Sequence, residues 1–121
     1  MKNSGDNVCQ ILIERFLSEN DFSPNTRRAF RQDLAKFSAW FVQTNREQLT
    51  IERITTRDVS DFRNQLRREQ KQAVATVNRA LVTLRRFLSW LVDEGQLRFN
   101  PALKVKELKR QPLAPSDLDA S

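Results

Sequence analysis

The stretch ATVNRALVTLRRFLSWLVDEGQLRFNPA, residues 75–102, decides the fold. Within it and just before it, Val77, Leu81, Leu84, Leu88 and Leu91 recur at alternating steps of four and three, flanked by Val74, Ala80 and Phe87. That spacing puts them on one face of a helix of 3.6 residues per turn. The periodicity predicts a helix from about Ala73 to Glu94, with Gly95 as the residue that ends it. The other face reads Gln72, Ala75, Thr76, Arg79, Thr83 and Arg86, which sets long basic forks among small and hydroxyl side chains. No acidic residue occurs from Gln72 to Val92. A face that is merely solvated more often carries Glu and Lys four residues apart, so this one reads as a surface for an anionic partner.

Three further helices are expected upstream. Val8, Ile11, Leu12, Phe16 and Leu17 form a stripe over residues 8–19, preceded by a disordered start at residues 1–7. Ser23 as N-cap and Pro24 at the first helical position open a second helix, running to about Gln43. It buries Phe30, Leu34, Phe37 and Phe41. Arg27 and Arg31 lie one turn apart on a neighbouring face, with Arg28 alongside. Leu49, Ile51 and Ile54 pin the loop 44–54 to the core. A third helix starts after Thr55, whose pairing with Asp58 makes a variant of the capping box, and buries Val59, Phe62 and Leu66. Beyond Gly95, Leu97, Phe99 and Leu103 are expected to pack back on the bundle, with Asn100-Pro101 as a turn. Residues 105–121 then read as a linker or flexible tail.

Two stretches fifty positions apart echo each other: KFSAWFV (36–42) and RFLSWLV (86–92). Generic amphipathic helices produce such echoes. Phe37 and Phe87 read as core, Trp40 as its rim, and Trp90 as packed under Leu97, Phe99 and Pro101.

Composition narrows the function. The 121 residues carry 21 Lys and Arg against 15 Asp and Glu, a net charge of +6, and a sequence pI near 10.2. Fifteen of the basic residues are Arg, whose planar fork suits phosphate and guanine. The balance is that of a polyanion binder. There is no His and no Tyr, and one Cys. That excludes Ser-His-Asp and Cys-His catalysis, a tyrosine nucleophile and His-based metal sites. No glycine-rich phosphate loop occurs. No cofactor or metal is expected, and neither a signal peptide nor a membrane span is legible; a single Cys fits a reducing, cytoplasmic setting.

The chain resembles the N-terminal core-binding (SAM-like) domain of the tyrosine recombinases, the phage-integrase family, over residues 8–104. The residues that carry the likeness are Thr26, Phe30, Asp33-Leu34 and Phe37 in the second helix. In the fourth they are Thr76, Asn78-Arg79, Leu81, Leu84-Arg85 and Phe87, followed by Gly95 and Asn100-Pro101. The resemblance implies an all-α bundle of four main helices arranged as two crossing pairs. It also implies that helices 2 and 4 lie against the major groove of double-stranded DNA while a separate catalytic domain, absent from these residues, grips the opposite face. The positions matching the DNA-facing surface are Thr26, Arg27, Arg28 and Arg31 on helix 2. On helix 4 and its approach they are Lys71, Gln72, Thr76, Arg79, Thr83 and Arg86. The implied partners are DNA and other recombinase subunits, with the isolated domain a monomer. On this reading Arg79→Ala weakens DNA binding with little change in melting temperature. Two other readings stay open: a helical protein-interaction module, favoured by exposed apolar residues on helix 1, and a stand-alone DNA-binding regulator.

Overall fold

The computed structural model describes residues 4–109. Among them the chain forms four α-helices and one 3-10 turn, and no strand: α1 (Ser4–Glu19), α2 (Pro24–Asn45), the turn Ile51–Arg53, α3 (Thr56–Arg68) and α4 (Val74–Asp93). The start expected to be disordered is helical from Ser4 onward. Residues 1–3 and 110–121, the rest of the expected disordered start and most of the expected tail, lie outside the described residues.

Local chemistry sets the helix ends. The Ser23 hydroxyl accepts from the Thr26 amide at 3.1 Å, with Pro24 in the first turn. Thr55 and Asp58 form the expected capping box, each side chain accepting the other's backbone N–H at 3.0 Å. α4 closes on Gly95 at φ +81°, whose N–H donates to the Val92 carbonyl at 3.0 Å while Gln96 N–H donates to Leu91 at 2.8 Å. This is the six-to-one, five-to-two pattern of a Schellman cap, and its left-handed residue explains a glycine there.

α4 is the centre of the molecule and packs against α1, α2 and α3. Val77, Leu81, Leu84, Leu88 and Leu91 are buried as their spacing requires, facing Phe16, Leu34, Phe37, Phe62 and Leu66 of the same core. Burying each such side chain is worth about 1.5–3 kcal/mol. The rings fall into two groups. Phe16, Phe22, Phe30, Phe87 and Trp90 meet at centroid distances of 5.1–6.5 Å. Phe37, Trp40, Phe41 and Phe62 meet at 5.2–6.2 Å. The two echoing stretches therefore serve different clusters: Trp40 rims Phe37 and Phe62, and Trp90 rims Phe16 and Phe87.

Three sequence expectations are corrected. α1 is rotated from the expected stripe: Cys9, Leu12, Ile13, Phe16 and Leu17 are buried, whereas Val8 (50% exposed) and Ile11 (59%) face outward. A helix buries one face only, and the aromatic neighbours of Phe16 select the face continued by Cys9 and Ile13. Trp90 packs on Phe16 of α1, with the Arg15 guanidinium 5.2 Å above its ring, and Phe99, one of the residues expected to cover it, is exposed. In the return segment Leu97 is partly buried, but Phe99 (67% exposed) and Leu103 point away, and Pro101, Ala102 and Val105 are buried instead.

The cause of that last difference is polar. The Asn100 amide donates to the Arg85 carbonyl (3.0 Å) and the Ser89 hydroxyl (2.9 Å), and its oxygen accepts the Ala102 N–H at 2.8 Å. Thr56 donates to the Pro101 carbonyl at 2.9 Å and Arg63 to the Lys106 carbonyl at 2.7 Å. Arg85 donates to the carbonyls of Ala102 and Val105. Asn78 pairs with the Leu108 backbone in both directions, at 3.0 and 2.8 Å. Residues 100–108 thus run back along α4 from Ser89 to Asn78, and residues 105–109, expected to be linker, begin as a strap on the bundle.

Candidate nucleic-acid interface

Of the ten residues singled out from the sequence, Arg79, Thr83 and Arg86 meet α2 from α4 across the seam between them, Lys71, Gln72 and Thr76 lie at the α4 start and its approach, and Thr26, Arg27, Arg28 and Arg31 lie in the first two turns of α2. Contacts advance in opposite directions along the two helices: Arg79 and Thr83 meet Asp33, while Arg86, further along α4, sits over Phe30 and Phe22, earlier in the chain. Thr26 and Thr76, both near helix starts, therefore mark opposite ends of the seam. From Thr76 to Arg86 α4 advances about 15 Å at 1.5 Å per residue.

At the centre of the seam Arg79 forks onto Asp33, Nη2 to Oδ1 at 2.6 Å and Nε to Oδ2 at 3.1 Å. Asp33 is 1% exposed. Thr83, fully buried at 0%, donates to Asp33 Oδ2 at 2.7 Å and lies 3.1 Å from the Arg79 carbonyl. The hydrogen bond from the guanidinium to this carboxylate raises the Arg79 pKa above its ordinary value, against the opposing effect of burial. A buried carboxylate needs such partners, since an unpaired one is strongly destabilising. Thr83 thus has no surface to offer a ligand, a correction to its place among the contacts; it is tied to Asp33. Arg79 keeps part of its fork at the surface, its side chain 42% exposed.

At the α2 start, Thr26 is half-buried and accepts from the Ser23 hydroxyl at 3.0 Å. Arg27 folds back, Nε donating to the Leu17 carbonyl (3.2 Å) and Nη2 to the Phe22 carbonyl (3.0 Å). These bonds tie two of its five N–H donors to the end of α1 and the connection after it, and the residue is half-buried. Arg28 is exposed, with one N–H on Asn25 at 3.2 Å. Arg31 crosses to α1 and pairs with Glu14 at 2.7 Å. That hydrogen bond lowers the Glu14 pKa and raises that of Arg31. Arg86 is exposed and stacks its guanidinium 5.0 Å from the Phe22 ring and 5.7 Å from Phe30, a geometry that holds a cation while leaving its edge to solvent.

At the other end, Lys71 is exposed in the left-handed region at φ 53°. Gln72 donates its backbone N–H to the Leu66 carbonyl (3.0 Å) and accepts from Arg67 (3.0 Å), which leaves its side chain at the mouth of α4. Ala73 caps α4 with no side-chain hydrogen bond, and no acid lies in the first turn. The structure thus brings Lys71, Gln72, Thr76, Arg79 and Arg86 along one helix and its approach, with Arg28 and Arg31 on α2.

Two residues of the family signature that were not among the ten candidate contacts, Asp33 and Asn78, organise this region. Asp33 was legible: it sits three after Phe30 and four before Phe37, so a carboxylate on the apolar stripe had to have a buried partner. Asn78 stood in the family signature, but nothing near it in the chain pointed to its partner, the Leu108 backbone. Among the described residues no group of His, Cys, Asp and Glu could hold a metal ion, and no helix is long and apolar enough to cross a membrane.

Residues 12–95 match the family model described as phage integrase, N-terminal SAM-like domain. The chain belongs to that family. It is 32% identical over 120 residues to the tyrosine recombinase XerD of Proteus mirabilis, covering 96% of this chain and 36% of the relative. It is 28% identical over 106 residues to the tyrosine recombinase XerD of Rickettsia conorii, 88% of this chain and 33% of the relative. It is 30% identical over 107 residues to the tyrosine recombinase XerC of Alcanivorax borkumensis, again 88% and 33%. The chain spans about a third of the length of these relatives. No solved structure matches it.

Proposed function

We propose that these residues form a non-catalytic domain that binds double-stranded DNA for a tyrosine recombinase, with the α2–α4 seam towards the duplex. One observation carries the reading: a domain of this family bears Lys71, Gln72, Arg79 and Arg86 along a helix and its approach that hold no acidic residue from Gln72 to Val92. Arg28, Arg79 and Arg86 contact phosphates, and Thr76 does so with the uncapped N–H groups at the α4 start. Gln72 reaches a base edge in the major groove. Arg27 and Thr83 act from behind, holding α1 and Asp33.

Fluorescence anisotropy with labelled duplex DNA at several salt concentrations tests this. About three cationic phosphate contacts give roughly a fortyfold loss of affinity between 50 and 200 mM salt. Absence of binding at low salt, or binding that ignores salt, overturns the proposal.

A second reading is favoured by a different observation. Val8, Ile11 and Val42 are exposed, and a shallow depression beside Val42 is lined by Gln10, Ala35, Ser38 and Ala39. An apolar surface of this kind suits another protein subunit. Concentration-dependent sedimentation that Ile11→Glu abolishes, with DNA binding intact, supports this role alongside the first.

A further inference from the structure

We propose that Asp33 is a positioning residue for Arg79: its buried carboxylate sets the guanidinium in one orientation at the α2–α4 seam, with the remaining N–H groups turned to the duplex. The inference rests on the DNA-binding reading above.

The geometry supports it in three ways. A guanidinium has five N–H donors in a rigid plane. Asp33 takes the Nε proton and one Nη2 proton, so both Nη1 protons and the second Nη2 proton lie on the opposite edges of the fork. The carboxylate is itself fixed, since Thr83 donates to Oδ2 and the Asp33 residue lies in the core-facing row of α2 between Phe30 and Phe37. Finally, the Arg79 fork rests on a buried carboxylate, whereas Arg31 makes a similar fork onto Glu14, which is half-exposed. Arg28 has a single hydrogen bond, to the exposed Asn25, and Arg86 is held by rings, which constrain its height but not its rotation. A long flexible cation loses rotamer freedom when it docks on a phosphate. Arg79 has lost that freedom on folding. The nearby carboxylate also offsets its charge, so Arg79 contributes direction more than net charge, and Arg28, Lys71 and Arg86 contribute the counterion release.

The test uses the full chain and two readouts. First, NMR without DNA follows the arginine Nε–H signals. Arg79 should show a resolved signal that exchanges with water at least tenfold more slowly than Arg28, and Asp33→Asn should remove the difference. Second, duplex binding is measured by anisotropy at a temperature where circular dichroism shows every variant folded. Asp33→Asn should weaken binding five- to tenfold and should have no further effect when combined with Arg79→Ala. Thr83→Val, which keeps the volume and removes one hydrogen bond, should weaken it two- to threefold, and serves if Asp33→Asn does not fold. Equal exchange at Arg79 and Arg28 overturns the proposal whether or not DNA binds. So does wild-type affinity in a folded Asp33→Asn or Thr83→Val variant, or additive losses in the double variant. Protected Arg79 with no duplex binding by the wild-type chain overturns instead the DNA-binding reading, and with it the task assigned to Arg79.

Discussion

Arg79 and Arg85 stand six residues apart on α4 and face two different seams. Arg79 meets a buried carboxylate on α2. Arg85 meets backbone carbonyls of Ala102 and Val105 in the return segment, with Glu107 3.2 Å away at the surface. The same side chain on the same helix is in one case the partner of a buried charge and in the other a clasp on a peripheral strap. The lesson concerns what each arginine leaves behind if removed. Without Arg79, Asp33 stays buried with one hydroxyl for company. Without Arg85, the Ala102 and Val105 carbonyls lose a donor but no buried charge is stranded. One seam is part of the global fold, and the other can open locally.

The most severe loss should come from between the two seams. Leu84→Ala, in the buried stripe of α4, should lower stability by about 2–5 kcal/mol, seen as an early transition in both fluorescence and circular dichroism. Next comes Arg79→Ala. Removing one partner of a buried charge puts its cost near 3 kcal/mol, measured by urea unfolding. This replaces the expectation from sequence that the substitution leaves melting nearly unchanged, so its effect on DNA binding has to be read below the new melting point. The strap should yield at smaller cost. Asn78→Ala and Arg85→Ala should each lose about 1–2 kcal/mol, with faster hydrogen exchange at Leu108 and faster tryptic cleavage after Lys104 and Lys106, while the α2 amides keep their protection. Equal effects on α2 would show that the two seams are not separable.

The smallest effect belongs to the surface. Glu14→Gln should cost no more than about 0.5 kcal/mol, because the pair with Arg31 is half-exposed and screened. The folded-state pKa of Glu14 is depressed, so its contribution is present above the ordinary carboxylate value and fades as pH falls through the lower folded value. A difference between Glu14→Gln and wild type that grew in acid would contradict this sign. The same substitution frees Arg31 and should modestly raise affinity for duplex DNA at low salt.

Much of this was legible in the sequence because it is local. The 3.6-residue stripes of α2, α3 and α4, the Ser23-Pro24 start, the Thr55–Asp58 box and the Gly95 stop each depend on residues within a turn or two of one another. The pinning of the loop by Leu49, Ile51 and Ile54 followed from the absence of any other reason for apolar residues there. The surface was less legible. Basic residues on one helix face look alike until their partners are known, and those partners lie far along the chain: Leu17 and Phe22 for Arg27, Asp33 for Arg79 and Thr83, Glu14 for Arg31.

The sequence by itself determined four helices, the starts of α2 and α3, the end of α4, the buried stripes of those three helices and a basic, acid-free face on α4, since short-range periodicity and capping chemistry decide all of these. Tertiary structure alone decided which face α1 buries, because two overlapping apolar rows compete and only the rings around Phe16 choose between them. It also decided that residues 100–108 lie along α4, and which arginines are spent inside the fold. A polar side chain goes to the strongest partner within reach, and reach is set by packing between elements that the chain separates by tens of residues.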